Sequence, residues 1–274
     1  MIKSCEVILF VALAIVGMIQ HIFVIAKNAF REAVRDRILY NLIVFVLLIT
    51  AAAVLLGDLT AGQESHVIIN LGLSAILIFG VFIAIFVGVS LVWKEIEKKT
   101  VYSIFSKPIG RGEFIVGKYL GLCVTLFVNV LVMGTGLTLA LLYVGGGKFV
   151  GGVWAAVLLI FFELTIMTAV AIMFSSFSTP ALSALLTFLI FVIGHFSYSM
   201  LELATALGSR TATFVFTAVY YLLPNLSNFS FISNTANGQI APLAMLVVAL
   251  VYAVAFNLIL ITITIMVFSR RNFK

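Results

Sequence analysis

Six apolar segments, each about as long as a membrane is thick, constrain this chain more than any other feature of its sequence. They cover residues 38–57, 67–92, 119–144, 152–174, 181–200 and 241–268. A helix of roughly 20 apolar residues crosses ~30 Å of hydrocarbon, and in lipid the backbone polar groups must be satisfied internally. The sequence therefore predicts an all-α membrane protein with six transmembrane helices.

The charges agree with this class and indicate a topology. Charged residues make up 9% of the chain, whereas a soluble domain carries about 25%. We interpret the net charge of +6 as a topology signal, because basic residues accumulate on the cytoplasmic side, and not as a sign of nucleic-acid binding. Six spans place Lys148 and Arg210 outside and nearly all other basic residues inside, so we expect both termini to be cytoplasmic.

Residues 18–274 form the predicted six-span membrane domain, and residues 1–17 precede it as an extension. This extension is apolar after Glu6. Three readings stay open: a non-essential extension or translation artefact that ends before Met18, an additional membrane segment, or a cleaved signal peptide.

Residues 19–37 have the pattern of an amphipathic helix. Apolar residues recur at helical spacing, and Lys27, Arg31 and Arg35 lie four residues apart on another face. Such a row of like charges is favourable beside anionic lipid headgroups, with the apolar face in the membrane interface. We therefore predict an interfacial elbow helix that contacts the bilayer; a solvated cytoplasmic helix is the alternative.

A second irregular region, residues 201–239, separates the fifth and sixth predicted spans. Its apolar part, residues 214–223, is too short to cross a bilayer and is followed by Pro224, which cannot continue a helix. We expect a short helical insert at the outer face of the membrane.

The longest charged interruption of the chain is the polar stretch at residues 93–118. Glu95 and Lys99 have the spacing of a favourable helical ion pair, Pro108 ends that helix, and Gly110 and Gly112 permit a turn. A helix, a turn and a second helix between two membrane spans would form a lever that docks on a soluble motor subunit. The alternative is a solvated loop that only satisfies the charge bias.

No nucleotide-binding or catalytic motif is complete in the sequence. Gly112, Gly117 and Lys118 match part of a P-loop, but Tyr119 stands where that loop needs Ser or Thr. Cys5 and Cys123 belong to no cluster of metal-ligand residues. We expect no enzymatic activity, no metal and no cofactor in this chain.

Two ionisable residues, Glu163 and His195, lie within predicted spans. A charge at that depth costs at least ~2.5 kcal/mol, so such residues usually pair and are functional candidates. Counted from the turn at 175–180, both lie at a similar height if their helices are antiparallel neighbours. We predict an intramembrane polar pair, either structural or serving as a substrate or proton site.

The polar stretch also contains a specific combination of residues. It reads Glu95-x-Glu97-x-x-Thr100, then Phe105-Ser106-x-Pro108-Ile109-x-Arg111-x-Glu113-Phe114, then Gly117-Lys118. These motifs, together with residues 28–37 and 174–180, resemble ABC type-2 permeases. The likeness is greatest to the branch with the permeases linked to nitrous oxide reductase maturation and gliding motility, although the N-terminal extension departs from that pattern.

The resemblance implies a permease homodimer or heterodimer in the inner membrane of a prokaryote. Separate ABC ATPase subunits would bind ATP and Mg and would dock on the polar stretch. The coupling residues implied by the resemblance are Glu95, Glu97, Thr100, Phe105, Pro108, Arg111 and Glu113.

We therefore expect the membrane subunit of an ATP-driven exporter. The spans contain no broad polar channel, which favours a lipid-like or amphipathic cargo. A membrane anchor that transports nothing is the alternative from another class, and an intramembrane enzyme would depend on Glu163 and His195 alone.

Overall fold

A computed structural model describes residues 2–35, 37–58, 63–97, 110–207 and 210–270. These residues form α-helices with two short 3-10 turns and no strand, so the all-α prediction is confirmed. In chain order the helices are α1 (Ile2–Val34), α2 (Arg37–Asp58), α3 (Glu64–Glu97), α4 (Arg111–Tyr143), α5 (Val150–Ser175), α6 (Pro180–His195), α7 (Ser197–Leu207), α8 (Arg210–Leu222), α9 (Ile232–Ala236) and α10 (Leu243–Arg270).

Four of the described helices, α3, α4, α5 and α10, are long and apolar enough to cross a membrane. Shorter apolar helical segments lie at Leu42–Leu55, Pro180–His195 and Thr213–Leu222. The chain is thus a helical, multi-pass membrane protein by length and composition. The count of six spans stays a prediction.

The long helix α3 lies at the centre of the fold and packs against α2, α4 and α5. Three of its glycines, Gly72, Gly80 and Gly88, are eight residues apart and face side chains of α4 or α5 at very short range. Small residues allow membrane helices to approach closely. These glycines lie on different sides of α3 and help to explain why it can be buried by more than one neighbour.

Helix α1 differs from the predicted interfacial elbow in its limits and in its surroundings. It runs without interruption from Ile2 to Val34, so no helix break separates the predicted extension from residues 19–37, and α2 already begins at Arg37. Part of its apolar face is covered by protein: Ala29 and Ala33 are buried. These two residues face protein because α1 packs on α4, and the contact of the rest of the helix with the bilayer stays a prediction.

The fifth predicted span, residues 181–200, is not one continuous helix. Helix α6 ends at His195 and α7 begins at Ser197. At this break, a side chain at Gly194 would collide with the carbonyl oxygen of Pro224, so glycine is needed for the close approach. The break between α6 and α7 occurs where the segment that follows Pro224 packs against the end of α6.

Asn225 holds that segment in place. Its Oδ1 accepts a hydrogen bond from Ser197 Oγ at 2.7 Å, and its Nδ2 donates to Tyr220 Oη at 3.1 Å. Its backbone N–H donates to Tyr252 Oη at 2.8 Å. Through its side chain and its backbone, Asn225 thereby connects α7, α8 and α10.

Candidate functional site

Three charged side chains meet where the polar stretch joins the helix bundle. Lys118 Nζ lies 2.5 Å from Glu95 Oε1 and 3.2 Å from Glu32 Oε2. Glu32 belongs to α1, Glu95 to the last turns of α3 and Lys118 to the second turn of α4. We call Glu32, Glu95 and Lys118 the basal ion cluster.

Burial differs strongly within the basal ion cluster. The Lys118 side chain is only 4% exposed, the Glu95 side chain 19% and the Glu32 side chain 40%. A buried ammonium group is stable only when it is paired, so Glu95 is the partner that compensates for the burial of Lys118. The Lys118 ammonium also lies 5.9 Å from the centre of the Phe114 ring, within range of a cation–π contact.

Two further contacts fix the start of α4. Arg111 donates a hydrogen bond of 2.6 Å to the carbonyl oxygen of Ser269, near the end of α10. His21 Nδ1 lies 3.0 Å from Glu113 Oε2, and because a carboxylate only accepts, the imidazole nitrogen is the donor. The beginning of α4 is thus attached to both α1 and α10.

Close backbone packing accompanies these polar contacts. A Cβ atom at Gly117 would collide with Ile25, and one at Gly121 would collide with the carbonyl oxygen of Ala26 and with Ala29. The spacing of the two glycines is that of the small-xxx-small motif of membrane helix pairs. Helix α1 is therefore held against α4 by shape as well as by charge.

The structure brings Glu163 and His195 together at the α6–α7 break. His195 Nδ1 lies 3.5 Å from Glu163 Oε1, and the two side chains are 27% and 1% exposed. Neither of these two atoms forms a hydrogen bond with the described residues. The contact is an ion pair or close approach without the directed hydrogen bond found in a tight pair.

Among the residues that the structure describes, no three His, Cys, Asp or Glu side chains converge to hold a metal ion. Glu163 and His195 have no third such side chain beside them among these residues.

Comparison with known protein families identifies the family of this chain. A family model described as "ABC-2 family transporter protein" matches residues 23–273, which is most of the chain. The chain belongs to the ABC-2 transporter family. A comparison with curated proteins finds no significant match.

Membership identifies the chain as a membrane component of an ABC transporter, with no catalytic role of its own. Permeases of this family normally work with an ABC ATPase. The polar stretch at residues 93–118 is therefore the candidate segment for docking of an ATPase.

The structure places the predicted coupling residues of the permease in three groups. Glu95 and Glu113 contact residues of the permease itself, and Arg111 is bonded to the end of α10. Glu97 is exposed at the end of α3. Thr100, Phe105 and Pro108 lie outside the described residues, as does Lys99, the predicted partner of Glu95.

The predicted membrane-interface residues Lys27 and Arg31 are exposed on α1, and Arg35 is exposed in the turn that follows it. No ion pair joins Lys27 or Arg31 to a carboxylate of the described chain. Their placement leaves them available to a ligand or a surface outside the permease.

Sequence reasoning missed the role of Lys118, which it interpreted as the end of an incomplete P-loop and as part of the family motif. The signal was present, because Gly117 and Gly121 mark a close helix contact and a lysine between them needs a partner. What the sequence lacked was the identity of the approaching helix. Its partners Glu32 and Glu95 are far away in the chain.

Proposed function

We propose that this chain is the membrane subunit of an ATP-driven exporter that is coupled to a separate ATPase through residues 93–118. In this proposal two copies, or this chain and a related one, form six-span halves in a prokaryotic inner membrane with cytoplasmic termini. The resemblance to the permeases of nitrous oxide reductase maturation and gliding motility supports this branch of the family. The cargo is proposed to be lipid-like or amphipathic.

One observation carries the proposed coupling. The ion pair between Glu95 and Lys118 connects the end of α3 to the start of α4, so it closes the polar stretch at its base. Lys118 also contacts Glu32 of α1. A force applied to the polar stretch would therefore reach three helices together, as a lever requires.

The same geometry separates two roles among the predicted coupling residues. We assign Glu95, Arg111 and Glu113 to the joint inside the permease, because each already has a contact there. We assign Glu97, with Thr100, Phe105 and Pro108, to ATPase docking. This division changes which variant tests docking, since Glu95→Lys would also place two lysines together and disturb the joint.

The experiment is co-purification of the cognate ATPase with Glu97→Lys and Phe105→Ala permeases, combined with ATP hydrolysis in proteoliposomes. We expect Glu97→Lys to weaken docking several-fold or more, because like charges at an interface cost up to several kcal/mol. Phe105→Ala should weaken docking as an aromatic anchor would. Glu64→Lys, the same change at the opposite end of α3, is the control and should retain the partner.

Retention of the ATPase and native hydrolysis in both test variants would contradict the coupling role and leave the polar stretch as a topology signal only. ATP-dependent movement of an amphipathic cargo across the vesicle membrane then distinguishes an exporter from an anchor. An anchor would bind the ATPase without moving cargo.

A further inference from the structure

A groove of about 640 Å³ lies between α1 and α4. Its wall is almost entirely apolar and includes Phe23, Phe30, Leu120 and Val124. Its volume is in the range of about 300–1,000 Å³ that is typical of small-molecule sites. The groove is open along one side, so an elongated apolar chain can enter it from the bilayer.

Two cations border this groove. Lys27 and Arg31 both line it, both are exposed, and they are one helical turn apart. The nearby acid Glu32 contacts Lys118 and forms no ion pair with either cation. The groove therefore combines an apolar floor with a positive edge.

The helices that form the groove are fixed in position. Gly117 and Gly121 bring α4 against Ile25 and Ala26 of α1, directly beside the groove. Phe23 is 67% exposed, although a ring of that size gains free energy when an apolar ligand covers it. The wall of the groove is therefore preformed, as in most ligand-binding sites.

We infer that this groove binds one anionic phospholipid of the surrounding bilayer. Its acyl chain would lie against Phe23, Leu120 and Val124, and its phosphate would lie between Lys27 and Arg31. The charge decides the class of lipid, since two cations without an acidic partner favour an anionic headgroup over a zwitterionic one. This inference concerns lipid binding and does not depend on transport or on the ATPase.

The test uses the full chain, purified in detergent and freed of lipid, with phosphatidylglycerol and phosphatidylcholine of identical acyl chains as probes. Native mass spectrometry counts the bound lipids over a titration. We expect the permease to bind one phosphatidylglycerol more tightly than phosphatidylcholine. The double variant Lys27→Gln/Arg31→Gln should lose roughly 30-fold in phosphatidylglycerol affinity, the equivalent of about 1 kcal/mol for each cation.

A matched control separates this site from general electrostatic attraction. Lys94→Gln/Arg270→Gln removes two other exposed cations that do not line the groove, and it should leave the affinity unchanged. Val124→Trp keeps the charge and fills the floor, so it should lower binding of both lipids.

Three results would overturn the inference. Equal affinity for the two lipids would remove the anionic headgroup from the site, and an equal loss in the control double variant would assign the binding to net charge. Permease dimers that are lost in Val124→Trp, without a change in lipid binding, would identify the occupant of the groove as a second copy of the chain.

Discussion

The basal ion cluster and the Glu163–His195 contact combine similar groups in two different ways. Lys118 lies within 3.2 Å of carboxylates on two other helices, whereas His195 approaches Glu163 only to 3.5 Å. The first connects α1, α3 and α4, and the second connects α5 with the end of α6. A lysine can compensate for its burial only through such close contacts.

The difference separates a tightly paired cluster from a looser contact. Oε1 of Glu163 is buried without a hydrogen bond from the described residues, which is costly for a polar group. It lies beside a broken helix, and broken membrane helices commonly surround substrate or ion sites. We therefore place stability in the basal ion cluster and a variable role in the Glu163–His195 contact.

The largest expected effect follows from removal of the buried cation. Lys118→Met leaves Glu32 and Glu95 facing each other without the ammonium group between them. Removal of one partner from a buried ion pair costs about 3–5 kcal/mol, and the partial exposure of both acids favours the lower end. A thermal melt of the purified permease in detergent should show a large decrease in Tm.

Lys27→Met is the control for this prediction, because Lys27 is an exposed cation of α1 that forms no ion pair with a carboxylate of the described residues. Its Tm should remain close to that of the native permease. If Lys118→Met melts like this control, the basal ion cluster does not stabilise the fold and the comparison fails.

A smaller effect is expected for the intramembrane contact. Glu163→Ala removes the acceptor beside His195 and exposes the desolvation cost of a polar group, about 1–3 kcal/mol. Glu163→Gln keeps an amide oxygen there and should lower Tm less. Equal melting temperatures for both variants and the native protein, together with lost transport, would assign this contact to substrate or protons instead of structure.

The next expected effect concerns the close packing of α1 against α4. Gly121→Ala places a methyl group against the backbone of Ala26, and overpacking costs about 1–3 kcal/mol. The gain in helix propensity, up to about 1 kcal/mol, offsets part of this cost. We therefore expect a modest decrease in Tm.

Gly112→Ala is the matched control in the same helix. A side chain at Gly112 meets Ile265 at 3.6 Å, an ordinary contact distance, so its Tm should be unchanged or slightly higher. An equal response of the two glycines would show that the α1–α4 contact tolerates separation.

The sequence predicted the features that depend on local composition. The apolar runs marked the long helices, because a helix is the way to satisfy the backbone in lipid. Counting along two antiparallel helices from one turn was sufficient to place Glu163 and His195 at similar heights. Both inferences need only the rise per residue of a helix.

Features that depend on which helices meet could not be predicted in this way. The carboxylate of Glu95 contacts Lys118, because α4 returns beside α3, whereas its predicted partner Lys99 lies outside the described residues. The break after His195 also required knowledge of the segment at Pro224, which approaches Gly194. In both cases the contact is made by a segment that is distant in the chain.

The smallest expected effect comes from the exposed member of the basal ion cluster. In Glu32→Gln, Lys118 keeps its 2.5 Å contact with Glu95, and the amide oxygen of glutamine can still accept a hydrogen bond. Exposed ion pairs contribute about 0–1 kcal/mol, and the Glu32 side chain is 40% exposed. The Tm should therefore decrease by much less than in Lys118→Met. A decrease as large as that of Lys118→Met would mean that Glu32 is the main partner of the lysine, and that α1, not α3, anchors the base of the polar stretch.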